Sequence, residues 1–242
     1  MTKPGPHTGR KGVIGKTRAQ LTKSKNQLRK SAMEDLTIPS NRRRAMIHFQ
    51  IHDHASLRIF WANFAQVSEG VFRGNHPGRR RLEHYAKRGI TKIINLRGAS
   101  HSPHYAFEEE ACRDLNLTLI NNELTARTAP SRESLQSLIK VFRTTQKPFL
   151  FHCKSGADRS SLAAAIYLLV FCDVDIATAR KQFSIRFIHF KWTKTGVLDH
   201  ILDHYEAAWQ GSGILFEDWI ETTYDPAEIQ ASFDRRRKAF LR

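Results

Sequence analysis

The chain has 242 residues, of which 40% are hydrophobic, and a formal net charge of +16. This length and composition indicate a globular domain with a sizeable core and exclude an intrinsically disordered chain. The longest apolar run has 11 residues, Leu162 to Cys172, which is too short for a membrane-spanning helix of about 20 residues.

Positive charge is concentrated at the two ends of the chain. Residues 1–44 carry a net charge of +10 and residues 234–242 carry +4, which leaves +2 for all the others. Basic segments attract polyanions, so the candidate partners are an anionic membrane surface and nucleic acid, of which we expect the membrane. The alternative is that both segments are solvated extensions that aid solubility.

The number and spacing of the cysteines indicate the redox state of the cellular compartment. Cys112, Cys153 and Cys172 are too few and too scattered for a disulfide framework. This usage predicts a reducing, cytoplasmic location. Peripheral attachment to a membrane through the basic ends is compatible with that location.

Strands and helices are predicted to alternate after a basic extension. Residues 1–44 show little hydrophobic periodicity and are predicted to be flexible, with order beginning near Ala45. The predicted strands are Val67–Arg73, Thr91–Arg97, Leu117–Ile120 and Lys147–Phe151. The predicted helices are Arg79–Lys87, Tyr105–Leu115, a helix opened by Pro130–Ser134, and Ser160–Val170. This alternation predicts an α/β fold, in which helices flank a sheet that is parallel in its centre.

The C-terminal third is predicted to be helical. Helices are expected at Asp175–Phe183, Val197–Trp209 and Pro226–Lys238, and Gly211–Gly213 separates the last of them from the rest. We therefore predict three parts: a basic N-terminal extension at 1–44, a main domain at 45–210, and a helical appendage with a basic tail at 211–242.

The segment from Phe149 to Ser160 has the features of a phosphate-binding loop. An apolar run of buried-strand type leads into Cys153, and a strongly apolar helix follows Arg159. A loop in this position can turn successive backbone N–H groups, and the positive end of the helix, toward one anion. Gly156 permits a tight backbone, and the Arg159 guanidinium can bind two phosphate oxygens. The predicted phosphate-binding residues are Lys154, Ser155, Gly156, Ala157, Asp158, Arg159 and Ser160.

Cys153 is the candidate nucleophile of this loop. Amide groups, a helix dipole and a guanidinium all stabilise a thiolate, so they lower the pKa of the cysteine. A thiolate beside a bound phosphate is positioned for in-line attack, which gives a phosphocysteine intermediate. His152 is a candidate to orient the loop, and Ser160 to donate a hydrogen bond to the departing sulfur. The alternative interpretation is a buried cysteine at a strand end, with an unrelated surface arginine nearby.

The run His152-Cys153-x5-Arg159-Ser160 resembles the signature of the protein tyrosine phosphatase superfamily. The chain is most similar to its atypical dual-specificity-like phosphatases of bacteria, fungi and plants. The similarity extends from Val67 to Tyr205 and includes two strand-like elements, Val71–Gly74 and Ile93–Arg97.

This resemblance has implications for fold and chemistry. It implies a central sheet of four or five strands, a covalent phosphocysteine mechanism, and no metal or other cofactor. By position it implies Cys153 as the nucleophile, Arg159 as the phosphate clamp and Ser160 as the residue at the family's Ser/Thr site.

The general acid departs from the family pattern. In typical relatives an Asp precedes the cysteine on a separate loop, but the corresponding segment here, Ile120–Arg127, contains no Asp. Asp158 inside the loop and Glu123 in that segment are the two candidates, because a carboxyl group must protonate the leaving oxygen. The alternatives are a structural carboxylate at Asp158 and an ordinary surface charge at Glu123. Asp158 is the preferred prediction.

Substrate class remains open between two groups. Phosphoproteins, with phosphotyrosine first and phosphoserine or phosphothreonine second, are one group. Phospholipids and inositol phosphates are the other, because Lys154 adds positive charge and the resemblance extends to lipid phosphatases that carry lysine there. A catalytically inactive phosphate-binding module, recruited to anionic surfaces, is the alternative function. A sulfurtransferase of the rhodanese type is a third reading.

Two further patterns lead to hypotheses about ligand-binding residues. Arg73, Arg97 and Arg127 follow predicted strands and could surround the mouth of the phosphate pocket. His52 and His54 have a spacing that can ligate a metal on a strand, although a surface pair is the ordinary interpretation.

Overall fold

The computed structural model describes residues 35–51, 53, 55, 56, 58 and 61–240. Residues 1–34 of the predicted basic extension lie outside the described residues, as do His52 and His54 of the predicted metal-ligating pair.

Five strands form one sheet in the part of the chain that is described. They are β1 Ala65–Ser68, β2 Val71–Asn75, β3 Lys92–Asn95, β4 Thr118–Asn121 and β5 Phe149–Cys153. Their order across the sheet is β1-β2-β5-β3-β4. β1 is antiparallel to β2, and every other pair is parallel. The predicted α/β fold with a central, largely parallel sheet is therefore confirmed.

Nine α-helices accompany this sheet over the same described ranges. They are α1 Pro39–Ile51, α2 Arg79–Lys87, α3 Pro103–Asp114, α4 Arg132–Thr144, α5 Asp158–Phe171, α6 Ile176–Arg180, α7 Val197–Ser212, α8 Phe216–Thr222 and α9 Pro226–Phe240. No helix among the described residues is both long enough and apolar enough to cross a membrane.

β5 is the central strand and leads into the candidate loop. All of its residues are buried, as expected for a strand covered by helices on both faces of the sheet. It pairs in parallel with β2 on one side and β3 on the other. The carboxyl ends of these three strands therefore meet at one edge of the sheet, where α/β proteins commonly bind ligands.

The first predicted strand, Val67–Arg73, is in fact a hairpin. Gly70 lies in the turn between β1 and β2 with φ of +70°, a conformation that glycine adopts without steric cost. The prediction of one continuous strand was wrong because this turn reverses the chain. The reversal leaves β2 free to pair with β5 along its whole length.

Helix α1 begins at Pro39, before the predicted start of order near Ala45. Asn41, Ala45 and Phe49 form its buried face. Arg42 fixes it to α3 through two hydrogen bonds to the Glu110 carboxylate, at 2.8 and 2.7 Å. The predicted boundary after residue 44 thus falls inside a packed helix.

The C-terminal helices share the core of the sheet. Phe216, Trp219 and Ile220 of α8 belong to the same buried cluster as Phe151 of β5, and so does Phe233 of α9. The residues of the predicted appendage therefore contribute to the main hydrophobic core rather than to a separate one.

Candidate active site

Cys153 ends β5 and is almost completely buried, with 2% of its surface exposed. The hydroxyl and the backbone N–H of Ser160, in the first turn of α5, lie close enough to the sulfur to lower its pKa, and the hydroxyl donates to the carbonyl oxygen of Gly74 at 3.3 Å. Arg159 is close enough for its charge to act on the thiolate. The sulfur therefore lies at the N-terminal end of α5, where the helix dipole and free amides stabilise negative charge.

Opposing effects set the pKa of Cys153. Burial raises the pKa, because a thiolate loses its hydration. The charge of Arg159 and the nearby hydroxyl and backbone N–H of Ser160 lower the pKa by more than this, although the charge of Asp158 opposes them. The net pKa lies below the ordinary value for a thiol, which increases the nucleophilic thiolate fraction near neutral pH.

Gly156 allows the loop to lie directly against the end of β2. Its φ is +69°, and a Cβ atom there would lie 2.7 Å from the backbone nitrogen of Asn75 and 2.7 Å from the carbonyl carbon of Gly74. Backbone atoms cannot move aside as a flexible side chain can. The loop can therefore keep this position only with glycine at residue 156.

Arg73 lies beneath the loop and is fully buried. Its Nη2 donates to the carbonyl oxygen of Gly156 at 2.8 Å and to the hydroxyl of Ser161 at 2.9 Å. Its Nη1 donates to Oε1 of Gln182 at 2.8 Å, and the Phe187 ring centroid lies 3.8 Å from the guanidinium carbon. The hypothesis that Arg73 surrounds the pocket mouth was wrong, because pairing of β2 with β5 directs this side chain under the loop.

The charge of Arg73 has no carboxylate partner within ion-pair distance among the described residues. Burial lowers its pKa to about 9, and the Cys153 thiolate partly counteracts this effect. By reciprocity the buried guanidinium favours the thiolate form of Cys153. Arg73 therefore supports the loop through both hydrogen bonds and charge.

Arg159 is held at the loop that follows β3. Its Nη1 makes a long hydrogen bond, 3.5 Å, to the carbonyl oxygen of Leu96. The same oxygen accepts the backbone N–H of Leu124 at 3.2 Å. Arg159 therefore lies between the cysteine loop and the segment that contains Glu123.

Asp158 is the first residue of α5, and its Oδ1 lies 2.9 Å from Nδ1 of His189. The imidazole is buried, and its Nε2 has no hydrogen-bond partner among the described residues. The Phe183 ring packs against it, with 4.9 Å between the ring centroids. His189 was not predicted from the sequence, because it is 31 residues after Asp158 along the chain and no motif marks it.

Glu123, the second acid candidate, is exposed and packs over Gly98. Gly98 has φ of +74°, and a Cβ atom there would lie 2.8 Å from Cβ of Glu123. Its carboxylate contacts neither Cys153 nor Arg159 in any hydrogen bond or ion pair among the described residues. Asp158 is thus part of the cysteine loop, whereas Glu123 lies beside the loop without a hydrogen bond or ion pair to Cys153 or Arg159 in the described part of the chain.

Of the seven predicted phosphate-binding residues, Gly156, Ala157 and Ser160 are buried, whereas the other four are partly exposed. The carbonyl oxygen of Ser155 accepts a hydrogen bond from the Asn63 side chain at 3.1 Å, which anchors the loop's outer turn. Contact of these residues with phosphate stays a prediction.

A buried group of polar side chains lies behind Cys153. His152 has its Nε2 2.6 Å from Oε1 of Glu108, and its Nδ1 lies 3.4 Å from the carbonyl oxygen of Cys153. Nδ1 of His76 lies 3.7 Å from the other carboxylate oxygen of Glu108. The ligand atoms of His76, Glu108 and His152 all lie within 4.8 Å of one another, so this group could hold a metal ion. The short contact between His152 and Glu108 also fixes the orientation of the His152 ring.

Four charged residues form a rim cluster at the outer side of the loop: Asp53, Arg58, Arg97 and Lys154. The Asp53 carboxylate lies 2.6 Å from Nη2 of Arg58, 2.9 Å from Nη2 of Arg97 and 3.5 Å from Nζ of Lys154. Arg97 thus lies in a cluster with Lys154, and its place at the pocket mouth stays a prediction. Arg127 is exposed on the segment after β4 and makes no ion pair among the described residues.

Comparison with known proteins gives a family match. A family described as "DSP-PTPase phosphatase fused to NAD+ Kinase" matches residues 62–192, more than half of the chain. A search of curated proteins gave no match.

Two solved structures illustrate the similarity of the fold. TpbA of P. aeruginosa is 16% identical, with a TM-score of 0.49, over 62% of this chain and 91% of that one. The core catalytic domain of the PP-IP phosphatase Siw14 from S. cerevisiae is 15% identical, with a TM-score of 0.48, over 72% of this chain and 92% of that one.

Proposed function

The chain belongs to the family of DSP-PTPase phosphatases fused to NAD+ kinase, within the protein tyrosine phosphatase superfamily that its loop resembles, and from that premise we propose how it acts. The protein hydrolyses phosphate monoesters through a phosphocysteine intermediate on Cys153. The roles of the individual residues below are part of this proposal.

The environment of the Cys153 sulfur is the main support for this proposal. The sulfur of Cys153 is buried at the N-terminal end of a helix, and its pKa is lowered despite this burial by the charge of Arg159 and by the nearby Ser160. A structural cysteine has no need of a stabilised thiolate. A nucleophile does, because only the thiolate attacks phosphorus efficiently.

In the first step, the Cys153 thiolate attacks the phosphorus atom of the bound ester. A sulfur–phosphorus bond forms while the bond from phosphorus to the alcohol or phenol oxygen breaks. The Arg159 guanidinium and the loop amides stabilise the charge on the three transferring oxygens. The departing oxygen takes a proton from the general acid, and the side chain of that acid becomes a carboxylate.

In the second step, water attacks the phosphocysteine. The same carboxylate accepts a proton from this water, the sulfur–phosphorus bond breaks, and inorganic phosphate leaves. Ser160 donates its hydroxyl hydrogen bond to the sulfur as negative charge returns to it. The acid and the thiolate are thereby both restored.

We assign the general acid to Asp158 rather than to Glu123. Asp158 belongs to the loop itself, and its Oδ1 lies 2.9 Å from His189 Nδ1, a contact that fixes the position of the carboxyl group beside Arg159. Glu123 has no comparable partner among the described residues.

The substrate belongs to one of two classes, phosphoproteins or phospholipids and inositol phosphates. Lys154 next to the nucleophile supports the second class, because its side chain is partly exposed beside the loop. Attachment to an anionic membrane through the basic C-terminal end of α9, in a cytoplasmic setting, is part of the same proposal.

Replacement of the nucleophile tests the proposal. Cys153→Ser should abolish turnover of an aryl phosphate while vanadate, a phosphate analogue, still binds. Cys172→Ser is the matched control and should keep wild-type turnover. Rapid-mixing measurements on the wild type should give a burst of phenol stoichiometric with the enzyme. Turnover by Cys153→Ser would reject the mechanism, and binding without turnover in the wild type would favour the inactive phosphate-binding module.

A further inference from the structure

The rim cluster carries an excess of positive charge. Asp53 is the one carboxylate within ion-pair distance of Arg58, Arg97 or Lys154 among the described residues. Three cationic side chains therefore share one carboxylate, and the cluster has a net charge of +2. The side chains of Arg58 and Arg97 are 5% and 11% exposed, so water screens this charge poorly.

One donor of the cluster has no acceptor in the part of the chain that the structure describes. Nε of Arg58 is buried and makes no hydrogen bond among the described residues. Buried donors without partners are costly, so the charge of Arg58 is incompletely compensated by the described residues. Both Nη atoms of Arg58 already donate to Asp53, one to its backbone oxygen and one to its carboxylate.

The positive charges also act on one another. Burial lowers the pKa of Lys154; Asp53 counteracts this, and the charges of Arg97 and Arg58 lower it further. Burial likewise lowers the pKa of Arg58, against the attraction of Asp53. A bound anion would remove part of this repulsion.

The cluster borders the cysteine loop on two sides. Lys154 follows Cys153 directly, and Arg97 follows Leu96, whose carbonyl oxygen accepts the hydrogen bond from Arg159. Burial lowers the pKa of Arg58, and the nearby Cys153 thiolate opposes this only slightly. An anion in the rim cluster would therefore lie next to a phosphate held in the loop.

Half of the cluster comes from outside the family match. Asp53 and Arg58 precede residue 62, where that match begins. Asp53 positions Arg97 by a second hydrogen bond, 3.2 Å from its Oδ2 to Nη1 of Arg97. The segment after α1 thus adds charged groups to the edge of the loop.

We propose that the rim cluster is a subsite for a second phosphate group of the same substrate, which Lys154 and Arg97 contact directly while Arg58 adds charge from behind them. This inference rests on the proposed function and narrows its substrate class. The preferred substrate carries two neighbouring phosphates, either on a soluble polyol or on a lipid headgroup. A singly phosphorylated peptide would leave the subsite without an anion.

The test compares substrates with one and two phosphates. We would measure kcat/KM for an inositol monophosphate and a vicinal inositol bisphosphate, in solution and as the corresponding phosphatidylinositols in vesicles, with a phosphotyrosyl peptide alongside. The wild type should prefer the bisphosphate. Arg97→Met should lower the bisphosphate-to-monophosphate ratio about tenfold, which corresponds to loss of one charge-assisted hydrogen bond. Whether the soluble or the vesicle arm is faster identifies the source of the ligand.

Matched variants separate charge from folding. Arg97→Lys should keep most of the ratio, and Arg113→Met removes an arginine whose side chain is 74% exposed and should leave it unchanged. Arg58→Met should lower the ratio as well. If that variant does not fold, as judged by its thermal melt, the two Arg97 variants decide.

The failures are distinguishable. An unchanged ratio in a folded Arg97→Met variant, while Cys153→Ser stays inactive, would overturn the subsite and leave the catalytic proposal standing. Preference for the peptide over both inositol substrates would also overturn the subsite. Turnover by Cys153→Ser would reject the proposed function itself.

Discussion

The guanidinium of Arg73 donates a hydrogen bond to the carbonyl oxygen of Gly156 at 2.8 Å, from below the candidate phosphate loop. A loop whose N–H groups face an anion must point some of its carbonyl oxygens the other way, and those oxygens need donors. Arg73 supplies them from the neighbouring strand. Its interaction with Gly156 therefore connects β2 to the geometry of the site.

Arg73→Met should disturb the loop more than it disturbs the fold. Loss of the buried donors leaves loop carbonyls without partners, which should cost about 1–3 kcal/mol of the free energy of unfolding. A small displacement of the loop backbone should lower kcat/KM about 100-fold. Aryl phosphate kinetics and urea denaturation measure the two effects. Arg113→Met is the control, and full activity in folded Arg73→Met would contradict the supporting role.

Gly156→Ala should lower activity strongly, because both the positive φ and the backbone contact with β2 exclude a side chain. We expect a loss of about 1–3 kcal/mol in the free energy of unfolding and a kcat/KM at least about 100-fold lower. Gly211→Ala is the matched control, since a Cβ atom there has nothing within 4 Å. Equal kinetics in the two variants would show that the loop can relax.

The loop could be predicted from the sequence because its parts are covalent neighbours. The strand, Cys153, Gly156 and Arg159 lie within one short run, and each has its effect through local geometry. Arg73 and His189 reach the same site by strand pairing and by a distant helical turn. No periodicity or spacing in a single sequence connects such residues with the loop.

Two helices were missed for different reasons. α8 has seven residues, too few for a clear helical period, and its stability comes from packing into the core. α1 contains three consecutive arginines, which gave it the composition of a flexible basic segment, and only one residue per turn is buried. In both cases tertiary contacts outweigh the local signal.

Alkylation of the thiols should depend on pH in a way that distinguishes Cys153. Because its pKa lies below the ordinary thiol value of 9.0, its reaction with iodoacetamide should be half-maximal below pH 9.0. Ser160→Ala removes a hydroxyl that lowers this pKa, so the midpoint should move to higher pH. Cys112 is the internal control, because burial raises its pKa to about 12. A midpoint unmoved in Ser160→Ala would contradict this effect of the hydroxyl.

The general acid can be identified by varying the leaving group. Asp158→Ala should lower kcat about 100-fold for phenyl phosphate, whose leaving oxygen needs a proton, and much less for p-nitrophenyl phosphate. Glu123→Gln should leave both rates nearly unchanged. A larger loss in Glu123→Gln than in Asp158→Ala, confined to the poorer leaving group, would transfer the role to Glu123.

The C-terminal helices should stabilise the whole domain, because they bury apolar side chains in the core that supports β5. Ile220 of α8 is fully buried, so Ile220→Ala should remove about 2–5 kcal/mol from the free energy of unfolding. Leu215→Ala is the control; its side chain is 68% exposed, and the expected change is below about 0.5 kcal/mol. Urea denaturation followed by tryptophan fluorescence and by loss of activity measures both. Activity that survives the fluorescence transition would mean that α8 unfolds separately and does not support the site.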